Sequence, residues 1–140
     1  MRCIRIGKRS YWQLAVFSIL FVLLPILILG IFGNLIPEVY ATKITLLWFF
    51  LALVGLMLYM TLTGRAYWIN GGPSYEEVVG EPERAYVFLR RHLVRFGIAA
   101  LLFCLLMIPA FLFKAAWYID VLLFCFLLVG AAISTIGIRF

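Results

Sequence analysis

Four stretches without a charged side chain govern what this chain can become: Ser10–Pro37, Ile44–Gly64, Phe96–Phe113 and Val121–Ile138, of 28, 21, 18 and 18 residues. A helix rises about 1.5 Å per residue, so about 20 residues cross a hydrocarbon core about 30 Å thick. The stretches are apolar throughout rather than alternating, which excludes the strands of a membrane barrel. The two shorter ones reach the needed length by borrowing uncharged or amphipathic flanks such as Ala115–Ile119. The sequence therefore predicts an all-α integral membrane protein of four transmembrane helices. It forms a single transmembrane domain over 1–140, with spans about 11–33, 44–64, 94–113 and 117–138. The spans pair as two helical hairpins, joined by a short cytoplasmic helical loop over 65–93. Composition agrees: 66% of residues are hydrophobic and 13% charged, against about 45–50% and about 25% in soluble domains.

Orientation follows from the cations. Arg2, Arg5, Lys8 and Arg9 precede the first span, and Arg65, Arg84, Arg90, Arg91 and Arg95 occupy the loop between the second and third. The turns at 38–43 and 114–120 hold one each, Lys43 and Lys114. Nine against two sets both termini and the long loop on the cytoplasmic side, in a membrane of the bacterial inner type. The same rule explains the formal charge of +6 without nucleic acid, because the basic blocks sit beside apolar spans. Tyr11 with Trp12, Tyr67 with Trp68, and Trp117 with Tyr118 stand at span ends, where amphipathic rings favour the headgroup level. Trp48, about a turn inside the second span, fits that scheme less well. The first stretch is too long for the roughly 7–15-residue apolar region of a signal peptide.

The loop carries its own helix signals. Asn70-Gly71-Gly72-Pro73 reads as a turn, and Ser74-Tyr75-Glu76-Glu77 as a capping box. Gly80 ends that short helix and Pro82, a favoured first helical residue, starts the next. Ala85, Phe88, Leu89 and Leu93 recur at helical spacing, and the helix runs on into the third span, from Glu83 to Phe113. Phe88, Leu89 and Leu93 on one face, with Arg84 and Arg91 on another, form the candidate surface for docking a partner.

No catalytic, cofactor or metal signature is visible. No Asp, Glu, Lys, Arg or His lies in the central part of a span, where ion-coupled transporters keep one. Glu38, Lys43, Lys114 and Asp120 all fall at the outer boundary, where exposed pairs contribute about 0–1 kcal/mol. His92, the one histidine, stands among arginines and reads as a solvated interfacial side chain, lacking partners for haem or metal. Glu76, Glu77, Glu81 and Glu83 read as helix-start charges. Gly71-Gly72-Pro73 lacks the Gly and Lys of a phosphate loop. Cys3, Cys104 and Cys125 are an odd set without CxxC spacing, so no disulfide framework is expected; Cys3, beside basic residues, reads as an ordinary cytoplasmic thiol rather than a lipidated one.

Packing signals are stronger. Gly130, Ser134 and Gly137 place small residues along the fourth span, the pattern that lets helix backbones approach, and the first expectation is packing inside one bundle. Pro25 and Pro109 free carbonyls that neighbouring groups must accommodate. Aligning the two prolines sets Leu14-Ala15 against Ile98-Ala99, a correspondence that apolar composition imitates easily. These observations favour a non-enzymatic accessory or structural subunit of a larger membrane complex, of transport or secretion type, whose partners are the bilayer and other membrane subunits. The alternative is a small homo-oligomeric transporter or lipid flippase without an ion-coupling residue; its polar path would need Ser18, Thr61, Thr63, Ser134 and Thr135. A membrane enzyme, with its site around Glu76–His92, ranks third.

Overall fold

A computed structural model describes Ile6 and residues 8–140; the readings of Cys3, Arg2 and Arg5 lie outside the described residues. Four helices are long and apolar enough to cross a membrane: α1 Trp12–Phe32, α2 Glu38–Thr63, α4 Pro82–Leu112 and α5 Trp117–Thr135. Between α2 and α4 lie a 3-10 turn, Ala66–Trp68, and a short helix, α3 Tyr75–Gly80. No strand occurs among the described residues.

Local chemistry accounts for the boundaries. Gly64 adopts φ +68° and its amide reaches the Met60 carbonyl, ending α2 in the left-handed conformation that lacks steric cost only for glycine. Ser74 and Glu77 form a reciprocal capping box, with the Glu77 amide donating to Ser74 Oγ at 3.3 Å and the Ser74 amide to Glu77 Oε2 at 2.7 Å. The Ser74 amide, and after it the Ser74 hydroxyl, stabilise the charged carboxylate and hold the Glu77 carboxyl below its ordinary pKa. Pro82 opens α4, which continues for 31 residues through Pro109, a rod about 46 Å long. The loop helix and the third span are therefore one element.

The turn between α1 and α2 differs from the expectation. Residues 38–43 are helical, not loop, because Pro37 takes an extended N-cap conformation and Glu38 sits at the positive end of the helix. The turn shortens to 33–37, and Lys43 moves from a loop to the second turn of α2.

Helices α2, α4 and α5 form a bundle, and α1 lies beside α2 alone. The bundle centre is a ring cluster: Phe50 of α2 lies 5.2 Å from Phe103 of α4 and 5.4 Å from Phe124 of α5, with Phe103–Phe124 at 5.8 Å between centroids. Such offset and edge-on pairs are worth about 0.5–1.5 kcal/mol beyond their area. A second cluster closes the α3 end of the bundle, where Val78 of α3 and Ala85, Phe88 and Leu89 of α4 pack with Tyr67 and Ile138.

Pro25 explains the misfit of Trp48. A proline nitrogen cannot donate to the carbonyl four residues earlier, here Phe21. Trp48 Nε1 donates to that Phe21 carbonyl at 3.2 Å, so the indole satisfies a backbone group that lipid could not. Trp48 is a bridge between α1 and α2, not an interfacial anchor.

Candidate functional site

At the end of the bundle opposite α3, the chain buries its only internal charges among the described residues. Lys43 of α2 and Asp120 of α5 are fully excluded from solvent and form a direct ion pair. Lys43 Nζ also donates to the Ala115 carbonyl at 2.8 Å, tying in the turn between α4 and α5. The expectation of exposed, weakly interacting boundary charges is corrected: this pair is sealed. The physical ledger changes with it, since removing one partner of a buried pair costs about 3–5 kcal/mol whereas replacing both is often neutral. Asp120 Oδ1 has no hydrogen-bond partner. Beside the pair, an open cavity of about 310 Å³ is lined by Glu38, Thr42, Lys114, Ala115 and Trp117. Lys114 turns the chain there with φ +50°.

A sequence signal for this pair exists in the spacing. Lys43, Leu46 and Phe50 repeat at intervals of three and four, as do Asp120, Phe124, Leu127 and Ala131 at four, three and four. Each charge heads the stripe that its helix turns inward; opposite charges at the heads of two inward stripes are a buried pair in prospect.

At the α3 end, the expected docking residues divide. Phe88 and Leu89 are buried in the chain's own second cluster and Leu93 is half-buried, whereas Arg84 and Arg91 are exposed. Phe88 packs edge-on against Phe140 at 5.9 Å. The support that a short helix needs thus comes from its own chain and from continuity with the span. Arg84 donates to Glu81 Oε2 at 3.0 Å and to the Phe140 carbonyl at 2.9 Å. The reading of His92 is corrected too: its ring is buried, 4.4 Å from the Phe88 ring, with Nδ1 2.9 Å from the Phe88 carbonyl. Tyr86, Val87, Arg90 and Arg91 of this α4 segment are exposed, beside Arg84.

The hydroxyl groups proposed for a polar path are spent locally. Ser18, Thr61 and Thr63 donate to carbonyls four residues back, Ser134 and Thr135 to carbonyls three back, all at 2.6–2.9 Å. Each bond satisfies the hydroxyl within its own helix.

The small residues of α5 face outward. Gly130, Ser134 and Gly137 are exposed, and a Cβ added at Gly130 or Gly137 would meet nothing within 4 Å. The neighbour that enters the core is Ala131. Close backbone approach inside the bundle, expected for these glycines, is not what they serve. Gly130 and Ser134 border a groove between α4 and α5 instead.

No protein-family model, no curated protein and no solved structure matches this chain.

Proposed function

We propose that this chain is a non-enzymatic accessory or structural subunit of a larger membrane complex. Its spans form two hairpins with both termini and the loop 65–93 on the cytoplasmic side of a bacterial inner membrane. The observation that carries this reading is the disposal of polar groups at membrane depth. The five candidate path hydroxyls, and Thr45 with them, bond to their own helices, and Lys43 and Asp120 neutralise each other. A transport path needs polar groups turned toward a shared lumen, and these are committed elsewhere. The surfaces left for contact are the lipid-facing flanks and the exposed cytoplasmic face of α4, where Tyr86 and Val87 are 38% and 46% exposed beside Arg90 and Arg91. An aromatic and an arginine beside aliphatic surface suit a protein partner, and this face takes the docking role first assigned to Phe88 and Leu89. The nine inner cations against two outer ones support the orientation.

Affinity purification in mild detergent tests the reading. A membrane-protein partner should co-purify in fixed ratio, and Tyr86→Asp with Val87→Asp should release it while leaving insertion and thermal unfolding unchanged. Recovery of the chain alone, or lipid scrambling by the chain alone in vesicles, would replace the subunit reading with the transporter. In a cysteine-free background, a cysteine at Val39 should react with an impermeant thiol reagent in intact cells, and one at Ser74 should not.

A further inference from the structure

Arg84, Arg91, Arg95 and Leu102 follow one another along α4 at intervals of seven, four and seven residues, which sets them on one flank of the helix. That flank borders α5, since Arg84 donates to the carbonyl of Phe140 just beyond it. Directly above the arginines the flank opens into the groove between α4 and α5, about 210 Å³ in volume. Arg95 stands at its inner mouth, Ala99, Gly130 and Ala131 border its middle, and Leu102 and Phe126 its far end. From Arg95 to Leu102 the groove climbs about 10 Å into the hydrocarbon layer. Among the described residues, neither Arg91 nor Arg95 forms an ion pair with a carboxylate.

We propose that this groove holds one anionic phospholipid, with the phosphate at Arg95 and Arg91 and an acyl chain laid along Gly130 and Ala131. Charge complementarity decides the occupant. Two unpaired guanidiniums at headgroup depth suit a phosphate oxygen cluster, and basic pockets between spans recognise anionic headgroups in this way. A transmembrane helix of a second copy is the poorer fit. The small residues from Gly130 to Gly137 extend only about 10 Å along α5, and Phe126, 76% exposed, projects at the far end of the groove where such a helix would continue. The missing side chain at Gly130 leaves room for the acyl chain, since a Cβ there touches nothing within 4 Å.

Native mass spectrometry of the full-length protein in detergent tests this, titrating phosphatidylglycerol against phosphatidylcholine with identical acyl chains. One phosphatidylglycerol per chain should be retained at concentrations roughly tenfold below those needed for phosphatidylcholine, a preference of about 1.4 kcal/mol. Arg95→Gln should reduce that preference to within about threefold, the loss of one charge-assisted contact. Gly130→Leu should weaken retention of both lipids by filling the groove, and Arg90→Gln, on another face, should change neither. Equal retention of the two lipids, or an undiminished preference in Arg95→Gln, would overturn the proposal; the latter readout stands even if Gly130→Leu fails to fold. A homodimer that Gly130→Leu dissociates without altering lipid retention would overturn it in favour of a second copy.

Discussion

Helices α1 and α4 begin alike and end differently. Each follows or contains a basic segment and each holds a proline, Pro25 or Pro109. Yet 6% of the apolar window of α1 is buried in the chain, against 28% for α4. Helix α1 is apolar on every side and buries only Pro25, whereas α4 turns one face of alanines and aromatics, Ala85 through Met107, into the bundle. Between helices in lipid there is no hydrophobic driving force, because lipid tails are as apolar as leucine. What binds a helix is then close packing or a hydrogen bond. Helix α4 has the packing. Helix α1 and its leading residues have a ring contact, Phe21 with Phe49 at 4.9 Å between centroids, and single bonds: Trp48 to Phe21, Tyr59 Oη to Gln13 Oε1 at 3.3 Å, and Trp68 Nε1 to the Ser10 carbonyl at 2.9 Å. Apolarity puts a helix in the membrane; it does not attach it to a neighbour.

The sharpest way to break this contrast is at the pair that locks the three-helix bundle. Asp120→Leu leaves the Lys43 ammonium buried with only the Ala115 carbonyl, and unfolding in detergent should show a loss of about 3–5 kcal/mol. Lys43→Met combined with Asp120→Leu should recover most of it. If the single variant is as stable as wild type, the bundle is not sealed by this pair.

Core truncation should rank next. Phe103→Ala removes a ring that touches both Phe50 and Phe124. The cost should be about half the roughly 3–5 kcal/mol of the same change in a water-soluble core, because the transfer term is absent in lipid. Leu27→Ala on α1, at a position 55% exposed, should cost less than about 0.5 kcal/mol in the same measurement. Similar losses from both would mean that α1 is packed as α4 is.

Smaller still, Trp48→Phe keeps a ring but removes the donor to Phe21. Interhelical hydrogen bonds in membranes contribute about 0.6–1.7 kcal/mol, so hydrogen exchange should quicken in α1 around Phe21 while α4 is unchanged. Faster exchange in both helices would show that α1 braces the bundle. The mildest effect should be acid-dependent and confined to the loop between α2 and α4. Because Glu77 has a lowered carboxyl pKa in the folded chain, its capping contribution is complete above the ordinary value of 4.5. It is lost as pH falls through the lowered one. Proteolysis near Ser74 should therefore rise below that point in the wild type and be elevated at neutral pH in Glu77→Ala.

Much of this architecture was legible in the residues. Four uncharged runs became four long helices, Ser74 and Glu77 formed the capping box, and Pro82 began a helix that continues into the third span. Each of these depends on neighbours within a few positions: the chain has to satisfy its own backbone in lipid, and caps act over three residues. The candidate site was less legible. Lys43 and Asp120 were visible as opposite charges at span boundaries, but their burial depended on where α2 begins and on the inward stripes they head.

Sequence by itself determined that the chain is helical and how many of its helices can cross a membrane, because length and hydropathy are sums over one segment and need no partner. Only the tertiary structure decided which faces meet. It turned Phe88, Leu89 and His92 inward, left Gly130 open on a groove, and gave the carbonyl freed by Pro25 to an indole 27 residues away. When every side of a helix is apolar, transfer from lipid to protein favours none of them. The choice then falls to shape and to the few donors and charges that must find a partner, and those partners are distant in the chain.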